Sequence, residues 1–220
     1  MGLNLLILWY SLKKAENLEV YILMKVKNWM ITEVITITSD KTVEDALQLM
    51  KLHSIRHLPV VENDKLIGLV TESSLRPYLF NDKLKLPLKE VMIINPIVID
   101  PETSIDEAAR LIYKYKIGGL PVVSQGKLVG IITVTDILEA FIELMGILKA
   151  SSRLDIIPKG DNLDDVLEEI KKKGGKIISI GMDVNLNGEK VYFIRLEKMP
   201  LENLASSLET KGHKVIAFIE

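Results

Sequence analysis

The sequence predicts an α+β protein in which a β-α-β-β-α unit occurs twice and is followed by one β-α-β-β-α-β unit. Three observations predict this. Met30 aligns with Met92 and Leu75 with Ile137 without a gap, a constant spacing of 62 residues. Within each copy, runs with strand patterning alternate with apolar residues at helical spacing. After Ser151-Ser152 the pattern changes. The chain therefore divides into an N-terminal extension (1–23), a first repeat (24–85), a second repeat (86–149) and a C-terminal domain (150–220).

The extension has no counterpart in the repeat. Residues 3–10 are apolar apart from Asn4, far short of the roughly 20 residues that a membrane span needs. A basic stretch and a small-residue cleavage site are both lacking, which argues against a signal peptide. The extension is expected to pack peripherally on the body, or to precede a true start at Met24.

Each repeat opens with a predicted short strand, 34–37 and 97–99. Thr42 and Ser104 are good helix N-caps, with Asp45 and Glu107 placed three residues on as a capping box or a near relative of one. Ala46, Leu49, Met50 and His53 recur at helical spacing, as do Ala108, Leu111, Ile112 and Tyr115. Two strands follow in each copy, 58–61 with 66–70 and 120–123 with 128–132. Glu62-Asn63-Asp64 and Ser124-Gln125-Gly126 supply the turns between them. A closing helix follows Thr71 and Thr133. One such unit cannot cover both faces of so small a sheet, so the two copies are expected to pack sheet to sheet.

In the C-terminal domain, 153–157 alternates as a strand and Pro158-Lys159-Gly160 is a loop. Asp161 or Asn162 caps a helix whose apolar face is Leu163, Val166, Leu167 and Ile170, and Gly174-Gly175 ends it. Strands at 176–184 and 190–196 flank Asn187-Gly188, a strong hairpin signal. Pro200 opens a second helix with Leu201, Leu204 and Leu208 inward, Gly212 stops it, and 215–219 is the last strand. This order predicts a ferredoxin-like sandwich.

Composition narrows the function. Net charge is −2 with acids and bases mixed, which argues against nucleic-acid binding. The absence of cysteine excludes thiolate chemistry and disulfides and fits an intracellular, cytoplasmic protein. His53, His57 and His213 form no metal-spaced cluster, and no nucleophile motif or phosphate loop occurs. A non-catalytic protein is expected, with neither metal nor tightly held cofactor.

The repeated core resembles the CBS domain. Arg56-His57-Leu58-Pro59-Val60-Val61 and Gly118-Gly119-Leu120-Pro121-Val122-Val123 look like its central strand, and Gly130-Ile131-Ile132-Thr133-Val134-Thr135-Asp136 looks like its nucleotide motif. The resemblance covers about 24–145 and implies adenosyl-ligand binding between the repeats. Asp136 would accept the ribose hydroxyls, Thr133 and Thr135 would donate to phosphate or sugar, and Arg56 and His57 would reach a phosphate. Gly118 and Gly119 would admit close backbone approach to a base. The first copy carries Thr71, but Ser74 stands where Asp136 stands in the second, so its cleft is expected to bind weakly or not at all. The bland alternatives are a helix cap for Thr133, Thr135 and Asp136, a surface ion pair for Arg56 and a half-buried polar residue for His57. The C-terminal domain is similar to the ACT family in its Gly174-Gly175-Lys176-Ile177-Ile178-Ser179-Ile180 junction, and departs from it in its first loop. Together these resemblances imply a regulatory sensor of AMP, ADP, ATP or S-adenosylmethionine. It would be a homodimer, through Leu138, Phe141, Ile142 and Met145, and would act on a protein partner. An empty-cleft dimerisation module and an amino-acid sensor are the rival readings.

Overall fold

The computed structural model describes residues 24–220, so the expectation for 1–23 lies outside the described residues. The chain divides into two compact units, one holding described residues 24–140 and the other 141–220. In the first repeat, α1 (Val43–His53) leads into β1 (His57–Glu62), β2 (Lys65–Thr71) and α2 (Glu72–Leu75), with a two-residue strand β3 (Ile93–Ile94) beside β2. In the second, α3 (Ile105–Tyr115) leads into β4 (Gly119–Ser124), β5 (Lys127–Thr133) and α4 (Val134–Leu144).

The two hairpins are built alike. Asn63 and Asp64 sit at φ 48° and 63°, and Gln125 and Gly126 at 49° and 78°, the left-handed pair that a two-residue type I′ turn requires. The register slips once in each, between Val60 and Val61 and between Val122 and Val123. The inward residues Leu58, Val60 and Val70 in one copy, and Leu120, Val122 and Ile132 in the other, are fully buried.

Three local expectations need correction. The opening strands are single parallel bridges, Ile37 to Val60 and Ile99 to Val122. Each is held by two hydrogen bonds, Ile37 N–H to Pro59 O (3.1 Å) and Val61 N–H to Ile37 O (2.9 Å) in the first copy. Thr42 and Asp45 form the expected reciprocal capping box, but Ser104 makes no side-chain cap bond and the Glu107 carboxylate pairs instead with Arg110 one turn on. The first closing helix is only 4 residues long, because Pro77 lies in the following 3-10 turn, Arg76–Tyr78, and cannot continue an α-helical ladder.

The segments that precede each repeat are exchanged between them. Val26 N–H bonds to Thr103 O and Ile105 N–H to Met24 O, while Leu88 N–H bonds to Lys41 O and Val43 N–H to Leu86 O. Ile31 bridges Ile131 on β5, and β3 pairs with β2. Leu88, Val91 and Met92 pack into the core of the first repeat with Val43, Leu58 and Leu75. Two glycines make this possible. A Cβ on Gly68 would lie 2.4 Å from the Met92 sulfur, and one on Gly130 would lie 2.5 Å from the Met30 sulfur. The repeats meet where β2 approaches β5, and Leu128 N–H reaches Asp64 O at 3.3 Å.

In the second unit, β6 (Ser151–Ile157), α5 (Leu163–Lys172), β7 (Ile177–Val184), β8 (Lys190–Glu197), α6 (Glu202–Thr210) and β9 (Lys214–Ile219) follow in order. The strands form one antiparallel sheet ordered β7-β8-β6-β9. Leu154, Ile156, Ile194 and Leu196 from the sheet bury against Val166, Ile170, Leu204 and Leu208 from the helices. Asn162 stands at the N-cap of α5 without a side-chain cap bond, and Asp161 pairs instead with Lys190 at 2.7 Å. The Asn187-Gly188 signal falls in a five-residue loop, 185–189, closed by Asn185 N–H to Glu189 O (3.0 Å). Glu169 is buried between the two helices. It accepts from Ser207 Oγ (2.7 Å) and from Lys211 Nζ, and the Lys211 ammonium holds its carboxyl down at about 2.

Candidate functional site

The strand-to-helix junctions carry the chemistry. At the end of β5, Asp136 folds back on Thr133: its Oδ2 accepts from Thr133 N–H at 2.7 Å and from Thr133 Oγ1 at 2.8 Å. Oδ1 accepts no hydrogen bond among the described residues. At the end of β2, Ser74 occupies the same place with a neutral version of the motif. Thr71 N–H donates to Ser74 Oγ (2.9 Å), and Ser74 N–H donates to Thr71 Oγ1 (3.0 Å). Both helix starts are tied to the residue that enters the partner strand of the hairpin, Val134 N–H to Gly118 O (3.1 Å) and Glu72 N–H to Arg56 O (3.0 Å).

One constellation draws on both repeats. Gly119 pairs with Thr133 across the β4–β5 hairpin. A Cβ on Gly118 would lie 2.6 Å from His57 Nε2, and one on Gly119 would lie 3.3 Å from Thr133 Cγ2 and 3.6 Å from the His57 ring. The imidazole of the first repeat thus rests on the two glycines of the second, beside the junction that holds Asp136. Its ring is half-buried and makes no hydrogen bond among the described residues. Burial, and then the Arg56 charge, push the His57 pKa below its ordinary value. Arg56 is exposed and forms no ion pair among the described residues.

His57, Gly118, Gly119, Thr133 and Asp136 are therefore brought together. Thr71 and Arg56 belong to the equivalent junction of the first repeat, and Thr135 is exposed beside Asp136. Sequence reasoning missed a cavity of about 400 Å³ in the first repeat, lined by Thr36, Ile37, Thr38, Lys41, Asp45 and Leu49. The closely spaced Thr36, Thr38 and Lys41 before a capped helix were its only sequence signal. Hydrogen bonds from Thr42 hold the Asp45 carboxyl below the ordinary range, so the cavity sets a carboxylate near the Lys41 ammonium. Among the described residues no His, Asp or Glu cluster can hold a metal ion, and no helix is long and apolar enough to cross a membrane. The group offers hydroxyls, a carboxylate and an imidazole.

Known proteins share this part of the chain. An inosine-5′-monophosphate dehydrogenase of Korarchaeum cryptofilum is 38% identical over 114 residues, 51% of this chain but 23% of that protein. The chain thus spans about a quarter of that relative, through its CBS region alone. The solved AcuB protein of Vibrio cholerae aligns over 57% of this chain and 95% of its own, with 35% identity and a TM-score of 0.52. The CBS domain pair of protein MJ0100, solved in complex with 5′-methylthioadenosine and S-adenosyl-L-methionine, aligns over 53% of this chain and 94% of its own, with 32% identity and a TM-score of 0.50. The CBS-domain family model matches residues 26–81 and 88–143, the two stretches that the hairpins, bridges and exchanged segments mark as one unit used twice, and the chain belongs to the CBS-domain family.

Proposed function

We propose that this chain is a cytoplasmic, non-catalytic regulator that binds an adenosyl ligand at the Asp136 junction and passes the event to its C-terminal domain or to a protein partner. The observation that carries this is the divided use of the Asp136 carboxylate. Oδ2 is spent on Thr133, which leaves Oδ1 to accept a ribose hydroxyl. Gly118 and Gly119 keep the neighbouring backbone bare for a base, and Arg56 and His57 offer donors to a phosphate or carboxylate. The adenosyl compounds bound by the MJ0100 pair support the ligand class. The order of elements and of strands in the second unit supports a ferredoxin-like, ACT-like domain as the readout. Leu138, 56% exposed on α4, supports homodimer contact there together with Phe141, Ile142 and Met145.

The test is a thermal-shift and calorimetry panel of AMP, ADP, ATP and S-adenosylmethionine. A ligand present at a hundred times its Kd stabilises the folded chain by about 2.7 kcal/mol. No stabilisation by any of the four at millimolar concentration sinks the reading. One observation favours a second reading, an interaction module with empty clefts: the Thr133–Asp136 pair is already complete as a helix cap. A silent panel combined with a dimer by light scattering would select it.

A further inference from the structure

The second unit buries a titratable group that the adenosyl site does not use. His213 lies in the turn between α6 and β9 and is 5% exposed. Its Nδ1 accepts the Lys159 N–H at 3.1 Å, so the ring is a neutral imidazole with its proton on Nε2. That bond reaches the loop of residues 158–162, which joins β6 to α5. The loop turns through two successive residues in the left-handed region, Gly160 at φ 62° and Asp161 at φ 59°, a conformation uncommon for any residue but glycine. Among the described residues no other hydrogen bond joins the backbone of 159–161 to a different element. Asp161 adds an exposed ion pair with Lys190, of the kind that contributes little. The Lys159 stem lies against Gly212, where a Cβ would come within 3.1 Å of its Cδ.

Three charged groups face the ring: Asp165 from α5, Lys211 from the C-cap of α6 and Lys159 from the loop itself. The Lys211 ammonium is taken up by Glu169. Burial, countered by Asp165 and reinforced by Lys211 and Lys159, holds the pKa of the ring below its ordinary value. The contact accepts only one protonation state. Neutral imidazole offers a lone pair at Nδ1, whereas imidazolium carries N–H donors on both nitrogens and has no lone pair to offer. We propose that His213 is a proton-operated latch on the loop between β6 and α5: the neutral ring holds the left-handed turn closed, and proton uptake sets a donor against the Lys159 N–H and releases it. The latch is closed above the pH at which the ring titrates in the folded chain and open below it. Neither Lys159 nor His213 belongs to a strand, so the loop opens while the sheet stays paired. The device lies within the second unit and does not depend on any nucleotide.

Nuclear magnetic resonance on the full chain reads the latch directly. The His213 ring and the Lys159 amide should titrate with one shared midpoint, below the ordinary 6.5. One pH unit below that midpoint imidazolium outnumbers the neutral ring about tenfold. Hydrogen-exchange protection of the Lys159 amide, corrected for the pH dependence of exchange in a free peptide, should therefore fall by about tenfold. Asp165→Asn, at an exposed position, removes the carboxylate that favours the charged ring and should move both midpoints down together. His213→Gln keeps an acceptor but gains no proton, so the Lys159 amide should stay flat between about pH 7.5 and pH 5. His57→Gln should leave both transitions in place. A Lys159 amide whose protection is constant while the His213 ring titrates overturns the proposal. So do midpoints that Asp165→Asn separates, a Lys159 transition that survives His213→Gln, and one that disappears with His57→Gln. The first two outcomes need only the wild-type chain and a surface substitution, so they decide even where His213→Gln fails to fold.

Discussion

In the first repeat β2 runs into a helix of 4 residues, and Pro77 follows it. In the second, β5 runs into a helix of 11 residues, α4. The first junction is closed by a hydroxyl, Ser74, and the second by a carboxylate, Asp136. The hairpin partner of β2, β1, is entered through Arg56 and His57, and that of β5, β4, through Gly118 and Gly119. The frame around these differences nevertheless repeats, from the Ile37 and Ile99 bridges to the methionines seated on Gly68 and Gly130. Duplication has kept the frame, where any change costs packing, and let the junctions diverge, where a change costs little folding energy and alters what can bind.

That comparison can be broken most severely through the frame. Leu58 and Leu120 are both fully buried, so Leu58→Ala and Leu120→Ala should each destabilise the chain by about 2–5 kcal/mol. Denaturant melts of the two variants should agree closely. A difference of several kcal/mol would show that the two cores are not equivalent.

A smaller effect should separate the junctions. Asp136→Asn keeps an oxygen for the Thr133 N–H, so stability should fall by roughly a few tenths of a kcal/mol. It replaces the free carboxylate oxygen with an amide donor. Hydrogen bonds to charged groups contribute about 1.5–3 kcal/mol, so adenosyl-ligand affinity should drop by about one to two decades. Ser74→Ala should leave affinity within about twofold of wild type. Calorimetry on both variants decides, and equal losses would mean that the clefts are equivalent after all.

The contact that joins the repeats gives a third measurement. Gly118→Ala places a methyl against His57 Nε2 and should destabilise by about 1 kcal/mol. Combining it with His57→Ala should relieve most of that cost, giving a coupling of at least about 0.5 kcal/mol in a double-mutant cycle. Additive costs would place the ring elsewhere in solution.

The smallest effect is one of pH. His57 titrates below its ordinary value of 6.5 because it is half-buried beside Arg56. The unfolded chain therefore takes up the proton first, and the stability present above about pH 6.5 is lost as pH falls through that value. His57→Gln should flatten the melting temperature between pH 7 and pH 5.5, whereas no substitution at Gly119, its counterpart, can do so by removing a titrating group.

Much of this was legible in the residues. The spacing of 62 and the paired Leu-Pro-Val-Val runs located both hairpins, because turn chemistry and period-2 burial are local. The Thr133–Asp136 pair was legible as a motif with two meanings, and geometry showed that one oxygen serves the cap while the other remains open. The opening strands shrank to single bridges because their partners are set by the central hairpin and not by their own β-propensity. Ser104 lost its capping box to Arg110, a competing cation that sequence spacing cannot weigh. His57 over Gly118 was illegible for a plainer reason: it joins residues of different repeats, and periodicity carries no information about such contacts.

The exchanged opening segments have a consequence for how the chain is made. On the ribosome the first repeat lacks part of its own core until Leu88, Val91 and Met92 have emerged. Residues 24–31 are synthesised well before β5, yet must wait for it before they find their partner at Ile131. The first repeat cannot close until residues 86–94 have been translated, and the second closes on residues 24–31, so this half of the chain folds through a high share of non-local contacts. A ribosome stalled between the two repeats would hold a chain with an unfinished apolar core, a natural client for a chaperone.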